Sequence, residues 1–87
     1  MSEHMVEPAN DRFTRWLNTA LAGRWHVWYI PMTGRRQNTW CARPEGTDLA
    51  TLHAEAADDL ARKIADDDPE AAARLGGLIT DIAAEYA

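Results

Sequence analysis

The sequence predicts an α+β domain with the element order α-β-β-β-α-α, in which a three-stranded antiparallel meander carries its helices on one face. Three observations lead to this prediction. Apolar residues recur at helical spacing near the start of the chain and again in its second half. Between these regions lie three short segments rich in aromatic and β-branched residues. The links between these segments are short and contain glycine, which favours hairpins between neighbouring strands.

The first predicted element is an amphipathic helix over Pro8–Ala22. Its apolar side chains follow the spacing i, i+3, i+4, i+7 and i+8 and share one stripe: Phe13, Trp16, Leu17, Ala20 and Leu21. Polar residues, among them Arg15 and Asn18, fall on the opposite side. Gly23 follows the helix and suits its end, because glycine adopts the left-handed conformation at low cost.

Three strands are predicted next, over Arg24–Met32, Asn38–Arg43 and Leu49–Ala54. The links Thr33–Gln37 and Pro44–Asp48 each contain one glycine. Because both links are short, a meander of antiparallel neighbours is the simplest pairing.

The second predicted helix, Glu55–Asp66, lacks a good N-cap residue, whereas Asp68 and Pro69 announce the start of a third helix. Gly76 and Gly77 cost that helix about 1 kcal/mol each relative to Ala. Its apolar stripe keeps its phase across both glycines, so one continuous helix is expected. The predicted core draws on every element: Phe13, Trp16, Leu17, Leu21, Val27, Trp40, Leu52, Leu60, Ile64, Leu78 and Ile82.

Length and composition indicate one domain in a reducing compartment. The chain of 87 residues is expected to form a disordered tail over residues 1–7 and a single domain over residues 8–87. Cys41 is the only cysteine, so no internal disulfide can form. Because no apolar run is long enough to span a bilayer and no signal-peptide pattern is seen, a cytoplasmic protein without membrane partners is expected.

Charge is distributed unevenly along the chain. Residues 1–46 carry a net charge of +2 and residues 47–87 a net charge of −7, for a total of −5. A net acidic chain tends to repel nucleic acid as a whole. Lys63 is the only lysine against eight arginines, and this bias together with abundant alanine is typical of a high-GC bacterial genome.

The segment Trp25–Ile30 supplies the main functional hypothesis, because it lacks the alternation expected of a strand with one wet face. The predicted interaction residues are His26, Trp28 and Ile30, with Cys41 joining them from the next strand. An apolar face of this kind usually binds a protein partner or a second copy of the chain. The same strand is expected at an edge of the meander, where free backbone groups can pair with another chain, so the predicted contact uses both the face and the edge. The alternative is that the C-terminal helix covers this face, or that Trp28 is merely half-buried.

A basic hairpin supplies the second hypothesis. Arg35, Arg36 and Arg43 lie near Trp40, and arginine beside an aromatic ring can contact phosphates and bases. A nucleic-acid-binding accessory protein is therefore the alternative function. A solvated hairpin explains the same residues, and so few cations disfavour nucleic acid as a partner.

Two resemblances bear on these hypotheses. The order α-β-β-β-α is similar to that of double-stranded-RNA-binding domains, whose last helix begins with lysines. Here the matching stretch, Glu55–Asp59, is acidic and would repel phosphates. The run Trp40–Pro44, followed by Leu49–Ala54 and by Ala57–Leu60 with Ile64, resembles the strand–strand–helix unit of HicB-like antitoxins and small proteins of high-GC bacteria. This second resemblance implies a partner-binding protein, often oligomeric.

Enzymatic and metal-binding readings have less support. His26, Cys41 and His53 are the reactive residue types that could share one sheet face, and together they could bind zinc. Their spacing follows no metal motif, and a Cys41–His53 nucleophile pair lacks an orienting partner. The acidic run Asp66–Asp68 is better explained as a helix junction. No catalytic residue, cofactor or metal ion is therefore expected, and the predicted class is a small non-enzymatic interaction module.

Overall fold

The computed structural model describes residues 7–31 and 39–86 of the chain. Four helices and three strands follow one another as α1 (Ala9–Ala20), β1 (Trp25–Ile30), β2 (Thr39–Pro44), β3 (Leu52–Ala54), α2 (Ala57–Asp67), α3 (Pro69–Leu75) and α4 (Leu78–Tyr86). The strands pair in the order β1-β2-β3, and both pairs are antiparallel. The predicted α+β class, the meander and the element order are confirmed, while the last predicted helix is divided in two.

The strand register decides which side chains share a face. Trp28 lies opposite Cys41, and Cys41 lies opposite His53. Since neighbouring residues of a strand point to opposite faces, Trp25 and Val27 lie on the other side of the sheet. Both are buried in the main core, so the helices cover the face that contains them. None of the described helices packs on the face that contains Trp28.

The core lies between this sheet face and the helices. Helix α1 packs on β1, α2 packs on β2 and β3, and α3 and α4 pack against α2. Eight of the predicted core residues are buried: Phe13, Leu17, Leu21, Val27, Trp40, Leu60, Ile64 and Ile82. Trp16, Leu52 and Leu78 are partly buried against them. The core also contains Trp25 and several alanines on β2, α2 and α3, whose small side chains allow close approach of these elements.

The first and last helices meet at one end of the molecule. Arg12 Nη2 lies 2.7 Å from Glu85 Oε1, and the ring centroids of Phe13 and Tyr86 are 5.6 Å apart. Residues 1–6, which belong to the predicted disordered tail, lie outside the described residues. Glu7 is held by Arg15, whose Nη2 lies 2.7 Å from Glu7 Oε1.

Helix α2 obtains its N-terminal cap from another helix. Ala56 precedes the helix and offers no capping side chain, in agreement with the predicted lack of a cap residue. The hydroxyl of Tyr86 on α4 instead accepts a hydrogen bond from the Ala57 N–H at 3.0 Å. A tertiary contact thus satisfies one of the free N–H groups of the first turn.

Asp68 links the start of β1 to the junction between α2 and α3. Arg24 Nη2 and Nε donate to its two carboxylate oxygens at 2.8 and 3.0 Å, and Trp25 Nε1 donates at 2.9 Å. The same carboxylate accepts from the backbone N–H groups of Glu70 and Ala71, which confirms the predicted N-cap. These hydrogen bonds, led by that of Arg24, hold the pKa of Asp68 well below its usual range.

The continuous helix predicted across Gly76 and Gly77 is wrong. Helix α3 ends at Leu75, and Gly76 adopts φ 49° and ψ −124°, which no helix contains. Helix α4 then begins at Leu78 and still buries Ile82. The apolar stripe predicted continuity because both helices turn their apolar sides to the same core.

The third strand is shorter than predicted. Strand β3 contains three residues, Leu52–Ala54, instead of the predicted Leu49–Ala54. Leu49 lies in the preceding loop with 77% of its surface exposed. Its apolar character suggested a strand residue, yet the fold leaves it in solvent.

Candidate functional site

The candidate site is the sheet face opposite the helical core, on which no helix of residues 7–31 and 39–86 packs, called here the outer face. Its side chains follow from strand alternation and register, and they come from all three strands: His26, Trp28, Ile30, Thr39, Cys41, Arg43 and His53. The four predicted interaction residues are all in this set. The meander therefore brings together residues that are far apart in the chain.

Trp28 and its neighbours on β1 supply the apolar part of the outer face. Trp28 is half-buried, as one of the two alternatives named for this strand expected, and it stacks on His26, with ring centroids 5.5 Å apart and an angle of 28° between the planes. Ile30 is 48% exposed at the end of the strand. Two large apolar side chains thus stay in contact with solvent on a face that ordinarily carries polar residues.

Cys41 lies beneath this surface. It is only 3% exposed although it points away from the helical core, and its neighbours across the strands are Trp28 and His53. Burial raises the pKa of the thiol, so Cys41 stays protonated at neutral pH. It supports the outer face from below and offers a partner almost no surface of its own.

The same burial bears on the nucleophile and metal hypotheses. A reactive cysteine needs a lowered pKa, and that of Cys41 is raised. Within residues 7–31 and 39–86, no group of three His, Cys, Asp or Glu side chains is placed to hold a metal ion. His26, Cys41 and His53 share a face but do not form such a group.

Arg43 supplies the outer face with a cation that forms no salt bridge with any described carboxylate. Its Nη1 donates to the backbone oxygen of Thr47 at 2.7 Å. The other arginines in the described ranges each pair with a carboxylate: Arg12, Arg15, Arg24, Arg62 and Arg74. Of the predicted nucleic-acid contacts, Arg35 and Arg36 lie outside the described residues, and Arg43 alone is placed.

The free edge of β1 is partly closed by helix α1. Asn18 Nδ2 donates to the Val27 carbonyl and its Oδ1 accepts from the Val27 N–H, both at 2.8 Å. The Trp25 N–H donates to the backbone oxygen of Leu21 at 3.1 Å. A strand from another chain could not use these groups, so the edge predicted as a pairing site is blocked along its first half.

Sequence reasoning missed this role of Asn18. Its position opposite the apolar stripe predicts a solvent-exposed residue. The structure turns this amide towards the sheet edge because α1 runs alongside β1. The chain contains no local signal for this contact, which depends on how two elements pack.

The free edge of β3 is guarded in a similar way by helix α2. Lys63 Nζ donates to the His53 carbonyl at 2.7 Å. Both edges of the sheet therefore receive a polar side chain from an adjacent helix, a device that limits strand addition. At the β3 side of the outer face, Thr39 and His53 line one pocket with polar side chains of α2, among them Asp59 and Asp66.

None of the described helices is both long and apolar enough to cross a membrane. Comparison with known proteins found no matching family model, no match among curated proteins and no match among solved structures.

Proposed function

We propose that this chain is a small non-enzymatic module that binds a protein partner through the outer face. The observation that carries the proposal is the exposure of Ile30 and the partial exposure of Trp28 on a sheet face without a helix. Large apolar side chains exposed next to each other on one face favour an interaction site. The similarity of residues 40–64 to the HicB-like unit implies the same class of function.

A heterologous partner fits the outer face better than a second copy does. A dimer formed by joining the β1 edges would need the backbone groups of Trp25 and Val27, which already bond to Leu21 and Asn18. A dimer joined through the β1 edges is therefore disfavoured.

Nucleic acid remains the second candidate partner, and the charges of the molecule weigh against it. Arg43 is the only described arginine without a carboxylate partner, and the chain as a whole carries a net charge of −5. Binding driven by phosphate contacts requires several cations on one surface. The stacked rings of His26 and Trp28 can contact an apolar protein surface as well as a nucleic-acid base.

The proposal is tested by comparing two charge insertions at exposed apolar positions. Tagged wild-type protein, Trp28→Glu and Leu49→Glu would each be used to recover bound proteins from the source cells, with quantitative mass spectrometry as the readout. We expect the same proteins with wild type and Leu49→Glu, and their loss with Trp28→Glu. Circular dichroism would verify that both variants fold, since neither residue belongs to the main core.

Equal recovery with all three proteins would contradict the proposal. Ile30→Glu provides a second test on the same face, because this side chain is more exposed than Trp28 and its replacement disturbs packing less. If both outer-face variants keep the recovered proteins while remaining folded, the outer face is not the binding surface.

A further inference from the structure

We infer that helix α4 opens and closes as one unit while the rest of the fold stays intact, and that its opening removes the N-terminal cap of α2. The first statement rests on how α4 is attached to the molecule, and the second rests on the hydrogen bond between Ala57 and Tyr86. Neither depends on what the outer face binds, because α4 packs on the opposite side of the sheet.

Helix α4 has few buried side chains to hold it in place. Ile82 alone among its nine residues is fully buried, whereas Leu78 and Ile79 are partly buried against the core. The helix packs mainly on α2. Because a helix of this length is marginal by itself in water, it depends on this docking. Terminal elements with few buried apolar contacts open at a lower free energy than the core does.

The junction between α3 and α4 is suited to act as a hinge. Helix α3 is fixed on its own account, since Asp68 caps its start and Arg74 Nη1 donates to the Ala22 carbonyl at 2.8 Å. Gly76 has a φ of 49°, which glycine adopts freely, and Gly77 has open space around it among the described residues. Glycines in such surroundings can absorb the φ and ψ changes of a hinge, so α4 can move while α3 stays in place.

The far end of α4 carries the contacts that close it. The ring centroids of Tyr86 and Phe13 lie 5.6 Å apart, and the Tyr86 hydroxyl accepts from the Ala57 N–H at 3.0 Å. Arg12 and Glu85 form a salt bridge beside them at the surface, and a pair of this kind contributes little. Because these contacts lie at the end opposite the glycines, rotation about the junction breaks all of them together.

The Ala57 N–H reports directly on the position of α4. It lies in the first turn of α2, where N–H groups have no acceptor within the helix. Its acceptor in the described part of the chain is the Tyr86 hydroxyl, since Ala56 provides no capping side chain. When α4 opens, this N–H meets water and the first turn of α2 loses its cap. The apolar side of α2 that α4 covers becomes exposed at the same time.

The inference is tested by amide hydrogen exchange of the ¹⁵N-labelled full-length protein, followed by NMR at low urea concentrations. We expect the amides of Ile82 and Glu85 in α4 to share one opening free energy with the amide of Ala57. Their protection should be at least about tenfold lower than that of Ile64 in α2 and Cys41 in β2, which belong to the core of the fold.

Tyr86→Phe and Tyr29→Phe form a matched pair of hydroxyl deletions. Tyr86→Phe keeps the ring beside Phe13 and removes the acceptor of the Ala57 N–H, whereas Tyr29→Phe removes a hydroxyl that donates to Asp11 at 2.6 Å. We expect Tyr86→Phe to abolish the protection of the Ala57 amide and to lower that of α4 about three- to tenfold, the effect of one hydrogen bond. Tyr29→Phe should leave both unchanged.

Either half of the inference can be overturned. Amides of α4 as well protected as those of β2 in the wild-type protein would show that α4 opens only when the whole chain unfolds. An Ala57 amide that keeps its protection in folded Tyr86→Phe, or whose opening free energy differs from that of α4 in the wild type, would show that α4 does not cap α2. The wild-type comparisons need no variant, so they decide both points even if Tyr86→Phe fails to fold.

Discussion

Asp68 shows how one carboxylate can join distant parts of a small chain. It accepts hydrogen bonds from Arg24 and Trp25 at the start of β1 and from the first turn of α3. These bonds favour the charged form, so the pKa of Asp68 is lower in the folded protein than in the unfolded chain. The resulting stabilisation is complete above the unfolded pKa of about 4 and is lost as the pH falls from there towards the folded pKa.

Asp68→Asn should therefore lower the thermal midpoint at pH 7, because Asn keeps the N-cap but loses the charge that Arg24 recognises. The difference from wild type should narrow as the pH is lowered below about 4, because the unfolded wild-type chain then takes up a proton at Asp68 that the folded protein does not bind. Thermal unfolding followed by circular dichroism between pH 7 and pH 2.5 measures both effects. Asp67→Asn, an exposed neighbour, should cause no comparable loss, and a constant difference at all pH values would contradict this account.

Among the elements, the break between α3 and α4 depends on one glycine. Gly76 adopts a positive φ that side chains with a Cβ rarely tolerate, whereas Gly77 has an ordinary φ and open space around its Cα. The Gly77 carbonyl accepts the first hydrogen bond of α4, from the Asp81 N–H at 3.0 Å. The two adjacent glycines thus have different roles, and only the first is required by its conformation.

Gly76→Ala should lower the free energy of unfolding by about 1–3 kcal/mol, since the strained backbone is imposed by the surrounding packing. Gly77→Ala should stay within about 0.5 kcal/mol of wild type, because the lower entropy of the unfolded chain offsets a less favourable residue at the helix start. Urea denaturation of both variants measures the difference. Equal effects would show that the turn has a different conformation in solution.

Helix α2 illustrates what local patterns can and cannot predict. Its apolar stripe predicts the buried face that contains Leu60 and Ile64, and both are fully buried. The lack of a local cap was also predicted, but the Tyr86 hydroxyl that replaces it comes from α4. Contacts that depend on the arrangement of several helices leave no short-range pattern. The sequence therefore shows that a cap residue is missing, but not that Tyr86 takes its place.

In the molecule as a whole, helix side chains occupy backbone groups at both sheet edges, and this disfavours polymerisation through the strands. Asn18 is central to this property because it satisfies both backbone groups of Val27. Its removal would leave an unpaired N–H and an unpaired carbonyl on an edge strand. Such groups are a ready template for pairing with another chain.

Asn18→Ala should lower the free energy of unfolding by about 1–3 kcal/mol and increase self-association relative to wild type. Urea denaturation and sedimentation velocity over a range of protein concentrations measure the two effects. Thr19→Ala, at the exposed neighbouring position, should change neither. A variant at position 18 with wild-type stability and sedimentation would show that this amide does not protect the edge.

How much of the candidate site the sequence predicts also depends on whether its contacts are local or join distant parts of the chain. Alternation along Trp25–Ile30 places Trp28 and Ile30 opposite Trp25 and Val27, and the structure has them so. Sequence alone cannot say which of these faces the helices take, because both carry large apolar groups. Which face the helices cover depends on the packing of the whole core, and so does the burial of Cys41. The sequence therefore predicts which residues share the outer face, but it does not predict which of them are exposed.

The contact between Arg12 and Glu85 has a practical consequence. It brings the start of α1 and the end of α4 close together. Joining these two helices by a short linker and reopening the chain at the exposed loop around Leu49 would yield a circular permutant that keeps the packing of the described elements.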